Sequence, residues 1–228
     1  MICKHNGKLI TTRLYPELLK IATSLIIDKI YVSLPRQQSI SIDPDEFSTV
    51  HKAIEVWGNH FTPQIAPIKV NQFFSQFLQK NVQLRWLGKT INRRIKHLEQ
   101  ISVSFAVGFF YLLINTASFH YLEQQCPEKL DIRQFRENIV INGALPIAED
   151  SWKTIKIGKI IFDIVKPCSR CTLTTYNPFS AKQLANHEPL KTLKNFRPDS
   201  NGNINFDMNM IARNRGTISI NDKIEIIG

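Results

Sequence analysis

The sequence predicts a mainly β fold with a few helices, an α+β chain built in two parts. Three observations predict it. Short runs that alternate apolar and polar residues recur along the chain, and such runs fit half-buried strands. Only two segments carry a helical signature. Many short strands with few helices favour a barrel or sandwich over repeated βαβ units. The chain has 228 residues, 43% of them hydrophobic with 14 Phe and 3 Trp, which suffices for a real core and excludes global disorder.

The elements follow in order. Leu9–Thr12 comes after the turn-prone Asn6–Gly7 and reads as a strand. Lys29–Leu34, Ser39–Ile42 and Ala53–Trp57 alternate in the same way, the last ended by Gly58. Val70, Phe73, Phe74, Phe77 and Leu78 fall at i, i+3, i+4, i+7 and i+8, one face of a helix, and these side chains are read as core. Val82–Leu87 is a strand stopped by Gly88. Lys89–His97 is the densest positive cluster, either a solvated loop or an anion-binding rim. The division between the two parts is placed here, at 1–92 and 93–228. A second helix is expected from about Thr116, capped by Asn115 or Thr116, to about Gln125 before Pro127. Asn138–Ile141, Ile155–Ile157 and Ile160–Val165 read as strands. Thr217–Ile220 and Lys223–Ile227, around Asn221–Asp222, read as a closing hairpin.

The formal net charge is +10, which suits an anionic partner or simply a basic soluble protein. The first six residues lack the apolar core of a secretory signal. The longest apolar run, Val103–Ile114, is short of the roughly 20 residues that a bilayer requires. The expectation is a soluble cytoplasmic protein with reduced thiols.

The four cysteines are Cys3, Cys126, Cys168 and Cys171, and the chemistry centres on Lys166–Pro167–Cys168–Ser169–Arg170–Cys171. A structural zinc site wants four ligands, usually two such pairs, and only one is present. A thioredoxin-type pair wants a helix start, whereas Thr172–Thr175 is β-prone and Asn177–Pro178 follows. Two ordinary buried cysteines are a further reading. Lys166 and Arg170 are cationic neighbours of the kind that favour a thiolate, the metal-binding form.

These residues are joined by Tyr111–Ser118, Phe135–Ile141, Glu149–Trp152, Ile157–Gly158, Glu188–Arg197, Phe206–Asn214 and Gly216–Ile227. Together they resemble the MOSC domain of molybdenum cofactor sulfurases. The likeness is stronger to the MOSC reductases, bacterial YcbX-type proteins and the mitochondrial amidoxime-reducing component. It runs from about residue 100 to the end, and upstream Gly7–Arg13 and Glu55–Leu87 resemble the N-terminal β-barrel domain of this branch. The resemblance implies a MOSC-type β-barrel after a truncated N-terminal barrel domain. It implies a molybdenum cofactor, molybdopterin with Mo, held by Cys171 as metal ligand and catalytic residue. Soft thiolate suits such a metal. Cys168 would be a neighbouring thiol. Ser169 and Arg170 lie beside the ligand, and Ser169 would hydrogen-bond the pterin. Arg136 and Asn138 match the pterin-binding pair, though taken alone they read as turn residues before a strand. Thr116 and Ser118 would line the pocket, with a helix start offering N–H groups to phosphate. Arg13 matches an arginine that meets the cofactor phosphate. Asn209 stands where the reductases have a pocket tyrosine. Pyridoxal phosphate binding follows only as a family-level association.

The implied activity is two-electron reduction of small N-hydroxylated compounds, such as amidoximes, with release of water. The implied partner is a separate electron donor of ferredoxin or flavin type, since no ferredoxin cysteine loop follows within the chain. No membrane and no nucleic-acid partner are expected. Two departures stand out, the absent ferredoxin loop and the start of the chain. No Pro-[Val/Ile]-Lys-Ser turn precedes Asn6, so an unpaired barrel edge is expected. Asp207–Met208 replaces the usual Gly-Gln. Glu149–Asp150 reads only as a solvated acidic turn. Two other readings remain: a cofactor or sulfur carrier with a persulfide on Cys171, or an inactive truncated homologue. A basic nucleic-acid-binding β-barrel using Lys89–His97 is the third.

Overall fold

The computed structural model describes residues 1–56, 59–88, 94–95, 98–102 and 109–228. The chain divides into two compact units, Met1–Gly108 with Phe179–Ala181, and Phe109–Pro178 with Lys182–Gly228.

The first unit carries β1 (Ile2–Lys4), β2 (Ala22–Ile26), β3 (Lys29–Ser33), β4 (Ser39–Ile42), β5 (Ile54–Val56), β6 (Asn59–Phe61), β7 (Gln64–Ile65), α1 (Ile68–Leu78), β8 (Val82–Trp86), β9 (Arg94–Ile95) and β10 (Leu98–Ser102). They form small antiparallel sheets in the orders β1-β8-β7, β2-β3-β4, β5-β6 and β10-β9. Helix α1 follows from the phenylalanine spacing. Val70, Phe74 and Leu78 are buried, and Phe73 and Phe77 pack at the margin of the same core with Val32, Ile42 and Val82. Leu9–Thr12 is not a strand. Leu9 makes one bridge to Cys3, and the amides of Leu14 and Tyr15 then turn back to the Thr11 carbonyl. β1 is an edge strand of its sheet, paired with β8 and touching Leu9 on its other side through that single bridge. Lys89–Arg93, Lys96–His97, Val103–Gly108 and Trp57–Gly58 lie outside the described residues, so the basic cluster and most of the apolar run are not placed.

The second unit carries β11 (Tyr111–Asn115), α2 (Thr116–Gln125), β12 (Ile139–Ile141), β13 (Thr154–Ile157), β14 (Ile160–Ser169), α3 (Leu190–Phe196), β15 (Asn205–Ala212) and β16 (Ile224–Ile226). One six-stranded sheet, ordered β12-β11-β15-β14-β13-β16, curls into a half-barrel. Only the β11–β12 pair within it is parallel. Alternation on β11 sends Leu113 to the core formed with Ile155, Phe162 and Met210, and Ile114 to the core formed with Phe119, Leu122, Phe135 and Leu193. The sheet therefore buries both faces, one of them beneath α2 and α3.

Local chemistry explains the ends. Asn115 caps α2, its side chain accepting from the Ala117 amide. Gly158 turns β13 into β14 with φ +56°, and a Cβ there would meet Asp222 Oδ2 at 2.5 Å. The expected closing hairpin is absent: only Ile224–Ile226 is a strand, and it pairs with β13 rather than with Thr217–Ile220. Across β14 and β15, Pro167 faces Met208 and Ser169 faces Asn205, so Phe206 and Asp207 together oppose Cys168 in a β-bulge. The bulge resets the alternation. Phe206 joins the helix-side core, whereas Met208 and Met210 join the other.

Candidate functional site

The longest strand, β14, delivers the cysteine pair to its own C-terminal end. Beyond it Cys171 opens a single 3-10 turn over Thr172–Thr175, where the sequence suggested extended chain. The turn forms because local bonds win over β propensity. The Cys171 carbonyl accepts from the Thr174 amide at 3.1 Å and from the Thr174 hydroxyl at 2.9 Å, and Thr175 Oγ1 donates to the Thr172 carbonyl at 2.7 Å. One short turn starting at the second cysteine leaves Cys171 exposed and free. Cys168 is half-buried. Cys3 is buried and Cys126 half-buried, and desolvation pushes both of those thiols up, away from the thiolate a metal needs.

The loop before β12 is stitched to both sides of Cys171. Arg170 Nη2 donates to the Phe135 carbonyl at 2.7 Å, and Gln134 Nε2 donates to the Thr174 carbonyl at 2.7 Å. Gln134 is set by a capping box with Asp131, whose backbone N–H donates to Gln134 Oε1. The next residue, Arg136, takes a left-handed backbone at φ +58° and is exposed. Asn138 bonds β11 twice, its amide donating to the Leu112 carbonyl at 3.0 Å and its Oδ1 accepting from the Leu112 amide at 2.9 Å. Leu112 pairs with Asn209, and Asn209 with Lys166. Asn138, Leu112, Asn209 and Lys166 thus form one row across four chain segments of the sheet. Asn209 Nδ2 also donates to the Pro167 carbonyl at 3.3 Å. Asn138 further lines a cleft of about 830 Å³ with Val140, Asn142, Ser219 and Asp222.

The expected site residues therefore separate into groups. Cys171, Ser169, Arg136, Asn138 and Asn209 reach solvent wholly or in part; the loop that carries Arg136 is bonded to the chain on both sides of Cys171, and Asn138 and Asn209 both meet Leu112. Arg170 has its head turned inward: Nη1 donates to Cys168 Sγ at 3.1 Å and lies 3.5 Å from Asp207 Oδ2, over the Phe135 ring. Lys166 Nζ sits over the Phe109 ring. Ser118 is buried, donating to Glu149 Oε1 at 2.6 Å and accepting from the Ile147 amide at 2.8 Å. Thr116 is the first, half-buried residue of α2. Arg13 is exposed in the first unit and borders a cleft of about 690 Å³ with Gly7, Thr11 and Leu14.

Glu149–Asp150 is not a solvated acidic turn. Glu149 is buried and accepts from both Asn115 Nδ2 and Ser118 Oγ. Asp150 is gripped by the fork of Arg197. Asp207 stands where the resemblance expects glycine. It is 1% exposed, and neither carboxylate oxygen has a hydrogen-bond partner among the described residues. Burial, resisted by Arg170 and reinforced by Glu149, pushes its carboxyl up to about 8. The charged type at a position otherwise expected to be glycine was the available signal.

A profile described as the MOSC domain matches residues 100–225. The chain belongs to the MOSC domain family. The MOSC N-terminal beta barrel domain matches residues 1–81 of the same MOSC protein. Mitochondrial amidoxime-reducing component 1 of Homo sapiens is 26% identical over 245 residues, covering all of this chain and 72% of the relative. Molybdenum cofactor sulfurase of Oryza sativa subsp. japonica is 26% identical over 214 residues, covering 84% of this chain and 26% of the relative. Mitochondrial amidoxime reducing component 2 of Macaca fascicularis is 24% identical over 206 residues, covering 86% and 61%. This MOSC chain thus spans from about a quarter to nearly three quarters of the relatives it matches. Family and relatives link it to the molybdenum cofactor. Among the described residues no helix is long and apolar enough to cross a membrane.

The donor set can be tested against that group. Among the described residues, no three His, Cys, Asp or Glu side chains converge as a metal cage would require. What is offered is one exposed, unpaired thiol on a braced turn, with amide, hydroxyl and guanidinium groups beside it. That fits a metal that arrives with most of its own ligands and takes a single soft donor from the protein.

Proposed function

We propose that this MOSC protein holds a molybdenum cofactor through the thiolate of Cys171 and reduces small N-hydroxylated compounds with electrons from a separate donor protein. The single observation that carries the reading is the exposed, free Cys171 at the end of β14, its turn bonded on both sides to the loop that presents Arg136. Relatives named as amidoxime-reducing components support the reaction class.

Each group then has a task. Cys171 would ligate the metal. Ser169 and Asn209 would meet polar edges of the pterin, and Arg136 and Asn138 would hold it by donating hydrogen bonds. Ser118 acts one step away: its bond to Glu149 fixes the start of α2. Arg13 lies in the first unit and is given no task here. When bound, the cofactor supplies two-electron chemistry at the N–O bond, and the protein orients substrate and cofactor. A donor of ferredoxin or flavin type and a cytoplasmic setting belong to the same proposal.

A rival reading makes the chain a cofactor or sulfur carrier, favoured by the sulfurase relative and by the open thiol. The test is amidoxime turnover by cofactor-loaded protein with a reduced viologen dye as electron source. The reductase reading expects turnover that Cys171→Ser abolishes. Molybdenum-loaded protein that reduces no amidoxime or hydroxylamine overturns it, and cyanide-releasable sulfur on Cys171 would then select the carrier.

A further inference from the structure

The proposed function leaves the buried carboxylate of Asp207 without a task. Asp207 sits in the bulge opposite Cys168, with a left-handed backbone at φ +68°. That conformation suits glycine, and an aspartate there adds strain. Its side chain is 1% exposed, both oxygens lack hydrogen-bond partners among the described residues, and its ion-pair partner is Arg170, 3.5 Å away. Arg170 is itself buried at 7% exposure, and its Nε also lacks a partner among the described residues. The same Nη1 that faces Asp207 donates to Cys168 Sγ at 3.1 Å. A buried carboxyl group that adds strain and gains no hydrogen bond among the described residues, placed 3.5 Å from Arg170, marks a functional compromise.

We propose that Asp207 is a positioning residue of the cysteine strand, sharing Arg170 with the sulfur of Cys168 and so setting how much positive charge that sulfur receives. Arg170 offers one charge to two claimants. While Asp207 is neutral, the guanidinium acts on Cys168 alone. Once Asp207 ionises, the carboxylate compensates Arg170 and a thiolate at 168 loses its partner. Burial, with Glu149 and Glu137 adding to it and Arg170 and Arg197 opposing, places the exchange near pH 8. The inference stands apart from the cofactor, because its readout is a sulfur in cofactor-free protein.

The test is iodoacetamide alkylation of the full chain, made in a host without the cofactor pathway, between about pH 6.5 and 9.5. Cys168 and Cys171 are followed separately by peptide mass spectrometry. In Asp207→Asn, where Arg170 serves the Cys168 sulfur at every pH, the midpoint of the Cys168 rate against pH should lie lower than in the wild type by about half a pH unit or more, while the Cys171 midpoint stays in place. Asp207→Gly suits the left-handed backbone, also lacks the carboxylate, and should show the same lowered midpoint, which covers a failure of the amide variant to fold. The same Cys168 midpoint in the wild type and in the folded variants overturns the proposal.

Discussion

Replacing Ser118 by Ala removes a hydroxyl that donates to Glu149 Oε1 and accepts from the Ile147 amide. Glu149 is buried and would keep only its bond from Asn115. Leaving buried polar atoms short costs about 1–3 kcal/mol, so the melting temperature should drop by several degrees. An unchanged melt would show that water replaces the hydroxyl. Asp207 gives a pH dependence of opposite character to the usual carboxylate. Folded, it keeps its proton to about pH 8; unfolded, it loses it near 3.8, as an ordinary aspartate does. Between these values the unfolded chain binds fewer protons, so this group makes stability fall as pH rises, by up to about 1.4 kcal/mol per pH unit, and the fall stops above the folded value. Asp207→Asn should therefore gain stability over the wild type, and the gain should grow from pH 5 to pH 8 in denaturant titrations. A gain of constant size across that range contradicts the buried, proton-holding aspartate.

Among the elements, the turn at Gly158 is the most exacting. A Cβ would fall 2.5 Å from Asp222 Oδ2, the atom that accepts from the Ser219 amide, on a backbone at φ +56°. Gly158→Ala should cost about 1–3 kcal/mol, and denaturant melts should show it without loss of Cys171 reactivity. Helix α1 was legible because five apolar residues mark one face, and α2 because Asn115 offers a cap and Pro127 a stop. Strand β1 was not, since three residues carry no period. The 3-10 turn after Cys171 hides behind threonines with high strand propensity, and only the hydroxyl bonds to carbonyls three residues back reveal it. Thr217–Ile220 alternates as a strand should, yet β13 already has β16 on its outer side. Alternation reports which residues could be half-buried, and the sheet decides which of them are paired.

For the whole molecule, the order of motifs along the chain made the family legible: the cysteine strand and the Arg136–Asn138 loop are distant in sequence yet bonded together, and the Glu149 turn is bonded to the start of α2. Spacing alone could not separate Ser118, which braces α2, from Asn138, which reaches the surface. Nor could it show that Arg170 faces the interior. The net charge of +10 says that anions are attracted, and leaves their identity to the site. In the proposed function one sulfur, that of Cys171, anchors the metal, and molybdenum analysis of the full chain from a cofactor-competent host puts that to the test. The wild type should carry about one molybdenum per chain, Cys168→Ser should keep most of it, and Cys171→Ser should carry almost none. A folded Cys171→Ser protein with as much molybdenum as the wild type would contradict the account.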